Sequence, residues 1–227
     1  CRIMGGQIRN DIPGYSSLFN YSDSELVAEK TKQSIDEGYG HVKLHETGVG
    51  EVAAAREAAG TDIPIMVDTN CPWAPGEAKR MALAFQDFDI HWLEEPIFPP
   101  EDFAALAQLR VETGIAVATG ENACTAFQFK QMIDAGAADY IQPSVTKVGG
   151  ITEARKVAVL AETHGVSMMP HAPYFGPGFL ATLHLMASVP NSGLAKWFYL
   201  EREACLYGGA IVPKHGIFSV PDGPGLG

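Results

Sequence analysis

The sequence predicts an α/β fold: a TIM-type (β/α)8 barrel. Three observations predict it. Short apolar segments and amphipathic segments alternate along the 227 residues, giving eight candidate strands with seven helices between them. The apolar segments lack a clean hydrophobic–polar alternation, as parallel strands buried on both faces do. The length also suits eight such units, which need roughly 200–250 residues. A doubly wound open sheet would carry a Gly-rich turn after its first strand, but the sequence there reads LFNYSDS.

The elements follow in order. A β-like stretch at 12–17 precedes a helix within 22–39, where Ser22 or Ser24 can cap the first turn and Gly38 and Gly40 end the element. Residues 41–46 read as a strand, 50–60 as a helix and 63–70 as a buried strand. Pro75 opens a helix over 74–88. The strand at 90–96 is stopped by Pro96 and followed by a helix over 99–114. Residues 115–122, 139–143 and 166–171 read as strands, separated by helices over 124–137 and 151–165. A last helix over 175–190 leads to a last strand over 195–201. Strand–helix repeats of this kind make a parallel sheet with right-handed crossovers.

Composition narrows the function. With 46% hydrophobic and 19% charged residues, the chain is an ordinary globular domain and not a disordered one. Its net charge of −11 argues against nucleic acid and anionic membrane as partners. No apolar run approaches the roughly 20 residues of a membrane helix. The four cysteines are far apart and form no CxxC pair, which favours a reduced, cytoplasmic setting. The CRIMGG start, without an initiator methionine or a signal-like segment, reads as a piece of a longer polypeptide.

Polar residues at the carboxyl ends of barrel strands face the active-site mouth. Here those ends carry Lys43 and His45, then Asp68, Glu94, Glu121, His171 and Glu201. Asp68, Glu94 and Glu121 are separated by 26 and 27 residues, one strand–helix unit each. Three converging carboxylates repel one another unless a cation joins them. All-oxygen ligation suits Mg²⁺, one ion per site. Lys43 and His45 lie two apart on a strand and so share a face. His171 approaches from the other flank, a pairing suited to proton abstraction and return. His41, His91, His164, His184 and His215 have no such placement.

The ordered set KLH (43–45), VDTN (67–70), LEEP (93–96), TGEN (119–122), QPSVTKVGGITEA (142–154), PHAPYFGPG (170–178) and YLE (199–201) resembles the enolase superfamily, in its mandelate racemase and muconate-lactonizing branch. The resemblance spans essentially the whole chain, as a single catalytic barrel over 1–227. It implies a separate N-terminal capping domain outside this sequence, with 203–227 returning towards it, and a homo-oligomer assembled with that domain. It implies that Asp68, Glu94 and Glu121 bind Mg²⁺, and that the metal stabilises the enediolate formed when a proton α to a carboxylate leaves.

By the same resemblance Lys43 assists its neighbour or the substrate carboxylate. His45 stands where the family's proton-transferring lysine does. Glu201 matches an acid that hydrogen-bonds the substrate carboxylate, while Glu95, Asn70 and Asn122 support the ligands or contact substrate. His171 matches the histidine of a His–Asp dyad, but Ser144 stands at the Asp position. That serine can hold the imidazole without supplying charge, and Lys147 is placed near the site. The expected activity is dehydration of an acid sugar to a 2-keto-3-deoxy acid, with a small carboxylate as the partner. The alternatives are a racemase or epimerase of a 2-hydroxy acid, and a metal-binding barrel whose catalysis has degenerated with the lost Asp.

Overall fold

The computed structural model describes residues 1–227. Eight strands form one parallel ring: β1 (Asp11–Ser17), β2 (Val42–Leu44), β3 (Ile65–Asp68), β4 (Ile90–Glu94), β5 (Val117–Thr119), β6 (Tyr140–Ile141), β7 (Ser167–Met168) and β8 (Ala195–Phe198). Neighbours pair in chain order from β1 to β7, and β8 pairs with β1. The remaining seam is closed just before β8. Met168 NH donates to the Asn191 carbonyl (2.9 Å), and Gly193 NH donates to the Met168 carbonyl (3.0 Å).

Seven helices make the crossovers: α1 (Ser24–Asp36), α2 (Val49–Ala59), α3 (Pro75–Phe85), α4 (Phe103–Thr113), α5 (Ala126–Asp134), α6 (Ile151–Thr163) and α7 (Pro177–Met186). Asp23 caps α1, its Oδ1 accepting from the NH groups of Glu25 and Leu26. This corrects the expected Ser22 or Ser24. Ser22 has a left-handed φ of 50°, and its NH is held by the Glu46 carboxylate. Pro75 opens α3 as expected. Asp139 is a structural acid: it holds Arg110 (Nε to Oδ2 2.6 Å) and accepts from Val117 NH at 2.9 Å. A ninth strand, β9 (Ile217–Ser219), was not expected. It pairs antiparallel with β1, Ile12 opposite Phe218, and so carries the last residues to the amino ends of the barrel strands.

Period-two geometry sorts side chains between two cores. Val42, Leu44, Val67 and Leu93 point outwards into the main core beneath the helices. Ala195 and Trp197 point outwards against Phe179 of α7 and Phe218 of β9. Tyr15, Met66, Trp92, Ala118 and Leu194 point inwards and fill the barrel axis. This alternation aims Lys43, Asp68, Glu94 and Lys196 at the axis one layer above that plug. No helix is long and apolar enough to cross a membrane.

Candidate active site

At the carboxyl ends of the strands, Asp68, Glu94 and Glu121 converge. Each offers an oxygen within 4.8 Å of the others. Asp68 and Glu94 end their strands. Glu121 lies two residues beyond β5, past Gly120, whose φ of 123° and closeness to Phe129 leave no room for a side chain. Glu95 turns the other way and ties the turns together. Its carboxylate accepts from Thr119 Oγ1 (2.7 Å), Gly120 NH (3.0 Å), Asn122 Nδ2 (3.0 Å) and Cys71 Sγ (2.8 Å). Asn122 therefore supports the site through Glu95. Asn70 donates its backbone NH to Asp68 Oδ1 at 3.1 Å and lines the cavity.

Lys43 is fully buried, its Nζ 2.7 Å from Asp68 and 2.5 Å from Glu94. Trp92 Nε1 donates to the other oxygen of Glu94 at 2.9 Å. Burial alone would raise Asp68, but Lys43 and His45 hold it well below the usual carboxylate range. Burial and the Asp68 charge raise Glu94 despite Lys43, because one ammonium cannot neutralise two carboxylates. Burial and Asp68 likewise push Glu121 up to about 7. Glu121 Oε2 faces a single polar neighbour, the His171 Nε2 at 3.0 Å. An all-oxygen triad with excess negative charge fits a hard divalent cation of the Mg²⁺ type.

His45 uses both ring nitrogens: Nδ1 on the Leu18 carbonyl and Nε2 3.2 Å from Asp68 Oδ2. His171 stands across the mouth with Nε2 3.0 Å from Glu121 Oε2, while its buried Nδ1 has no partner. Burial, then Lys196 and Lys43, push its pKa down to about 2, so the imidazole is neutral.

Two expected placements are corrected. Ser144 does not hold His171; its hydroxyl pairs with that of Tyr174, because the 170–178 loop folds Tyr174 over it. Glu201 does not reach the site. β8 stops at Phe198, and Glu201 is exposed three residues further on. Lys147 is exposed, near enough for its charge to act on His171. The sequence reading missed Lys196, which lines the cavity from β8. Its signal was present in the alternation of AKWF, where Ala195 and Trp197 turn outwards.

The cavity measures about 330 Å³ and is lined by His45, Asn70, Glu121, His171, Lys196 and Phe198, among others. A cavity of about 450 Å³ lies at the opposite end of the barrel, beside Arg56 and His91. The Arg56 guanidinium there is engaged by the carbonyls of Phe88, Gly60, Ile63 and Asp89.

Fold and site together define a barrel with a metal-ligating carboxylate triad at its mouth. The family model described as enolase C-terminal domain-like matches residues 26–227, and the chain belongs to that family. The 3,6-anhydro-α-L-galactonate cycloisomerase of Streptomyces coelicolor is 35% identical over 185 residues, 79% of this chain and 48% of that protein. The D-xylonate dehydratase of Haloferax volcanii is 28% identical over 258 residues, 100% of this chain and 61% of that protein. The structure of a Streptomyces coelicolor racemase with bound magnesium superposes with a TM-score of 0.83 at 29% identity, covering 100% of this chain and 64% of that one. The chain thus spans about half to two-thirds of the length of these relatives.

Proposed function

We propose that this barrel abstracts the proton α to a carboxylate of an acid sugar with the help of Mg²⁺, and that elimination of the β-oxygen follows. The product is a 2-keto-3-deoxy acid. The observation that carries the reading is the placement of the carboxylate triad on one arc of the mouth, with neutral His171 and cationic Lys196 on the other. Relatives named as a cycloisomerase and a dehydratase of sugar acids support it. The two outcomes share one step: the leaving β-oxygen belongs to a ring in one case and to a hydroxyl in the other.

Asp68, Glu94 and Glu121 would hold the ion, which when bound supplies Lewis-acid stabilisation of charge on the substrate carboxylate. His171 takes the α-proton through a ring nitrogen. The C–H electrons form the C2–C3 double bond as the C3–O bond breaks, and the imidazolium returns its proton to the departing oxygen. The resulting enol tautomerises to the ketone.

One observation favours elimination over racemisation. A racemase needs a base on each face of the α-carbon, and both nitrogens of His45 are occupied by Leu18 and Asp68. His171 pairs Nε2 with Glu121 but keeps Nδ1 unpaired, so it can serve one face.

The test is a screen of the intact polypeptide with Mg²⁺ against mono- and diacid sugars, reading 2-keto acid formation. The expected result is a hit abolished by EDTA, by Glu94→Gln and by His171→Asn, with Mg²⁺ binding retained in the His171 variant. Deuterium wash-in at the α-carbon without a keto product would establish the racemase instead. Neither signal, with gain of turnover in Ser144→Asp, would establish a degenerate site.

A further inference from the structure

The charges at the barrel mouth are paired, with one exception. Lys43 lies between Asp68 and Glu94, His45 reaches Asp68, and His171 meets Glu121. Lys196 has no carboxylate within 4.0 Å and makes no hydrogen bond. It is only 3% exposed, yet its side chain lines the cavity. The nearest feature on its own strand is the Phe198 ring, 5.9 Å from Nζ to the centroid. Packing sets its direction, and the three carboxylates attract it only from beyond 4.0 Å. Its neighbours Ala195 and Trp197 are locked outwards against Phe179 and Phe218, so strand alternation forces Lys196 inwards. Burial and the nearby Lys43 charge lower its pKa to about 8, which still leaves it mostly protonated at neutral pH.

A buried ammonium with no direct ion pair is costly. An anion arriving from solution supplies that pair. In the ring order β8 lies across the axis from β4, so this cation faces the triad. Several polar groups buried without hydrogen-bond partners, Ser17 Oγ on β1, the Gln142 amide just after β6 and His171 Nδ1 just after β7, lie on the same arc.

We propose that Lys196 anchors a carboxylate oxygen of the substrate anion, from the side of the cavity opposite Asp68, Glu94 and Glu121. This assignment rests on reading the triad as a metal site. It makes Lys196 a substrate-binding residue in place of the expected Glu201, and it explains how an acidic protein presents a locally positive pocket to an anion.

The experiment is calorimetric titration of wild type, Lys196→Met and Lys196→Arg, first with Mg²⁺ alone and then with oxalate as a small carboxylate probe. The expected result is Mg²⁺ affinity unchanged or tighter in Lys196→Met, with oxalate affinity of the Mg²⁺-loaded protein at least tenfold weaker. Lys196→Arg retains most of that affinity. Lys196→Met without ligand also melts no lower than wild type, because an uncompensated charge has gone. Lys196→Gln carries the same comparison if the Met variant does not fold. Equal oxalate affinity in wild type and Lys196→Met, or no oxalate binding by Mg²⁺-loaded wild type, overturns the assignment and leaves the metal reading intact. Failure of wild type to bind Mg²⁺ overturns the metal reading, and the assignment falls with it.

Discussion

Replacing Lys43 by Met tests the charge balance at the centre of the site. Lys43 is buried with Nζ 2.7 Å from Asp68 and 2.5 Å from Glu94, and Met matches its length without its charge. The variant leaves two buried carboxylates facing each other with Glu121 beside them. Removing one partner of a buried ion pair costs about 3–5 kcal/mol. For a chain of this size each kcal/mol moves the midpoint by about 2–4 °C, so the metal-free variant should melt about 6–20 °C below wild type. Glu94 and Glu121, both already raised, can take up protons and soften this loss, so the deficit should be larger at pH 8 than at pH 6. Mg²⁺ replaces the missing charge. At a concentration of about 100 Kd it stabilises any binding-competent state by about 2.7 kcal/mol. The variant should gain more than wild type, where Lys43 competes for the same oxygens. The assay is thermal unfolding by circular dichroism at both pH values, with EDTA and with Mg²⁺. A metal-free deficit under about 1 kcal/mol, or an equal Mg²⁺ gain in both proteins, would refute the reasoning.

Four further outcomes are expected. Glu121, pushed up to about 7 by burial and Asp68, must lose a proton to bind metal. Mg²⁺ affinity should therefore rise with pH up to about 7 and level off above it, a trend that calorimetry at several pH values can check. In metal-free protein this raised pKa lies above the ordinary 4.5. Its stabilisation is thus fully present below pH 4.5 and lost as pH rises through 7, a trend that Mg²⁺ should reverse. Glu95→Leu strands the donors of Thr119, Gly120, Asn122 and Cys71; it should cost about 3 kcal/mol in urea denaturation and weaken Mg²⁺ binding. Gly120→Ala puts a Cβ 2.8 Å from Phe129 at a φ of 123°; it should cost about 1–3 kcal/mol and displace Glu121, read as lower Mg²⁺ affinity with the barrel intact.

The carboxylate triad was legible because two local periods coincide. One strand–helix unit brings Asp68, Glu94 and Glu121 to the same rim, and alternation within a strand turns them to the same face. The same reasoning placed Lys43 with His45 and found His171. It failed for Glu201, because where β8 leaves the sheet depends on its ladder with β1 and not on the residues of YLE. It failed for Ser144, whose partner Tyr174 is thirty positions away.

The sequence by itself determined the order of strands and helices, the parallel barrel and the acids at its mouth. These follow from hydrophobic periodicity and from turn and capping chemistry, which act over a few residues. Only the tertiary structure decided how the ring closes through 191–193, that β9 returns to β1, which histidine keeps a free nitrogen, and that Lys196 stands inside without a direct ion pair. Those outcomes depend on which outward residues find packing partners on α7 and β9, and on which charges meet across the axis. Such contacts join segments far apart in the chain and leave no period in the sequence.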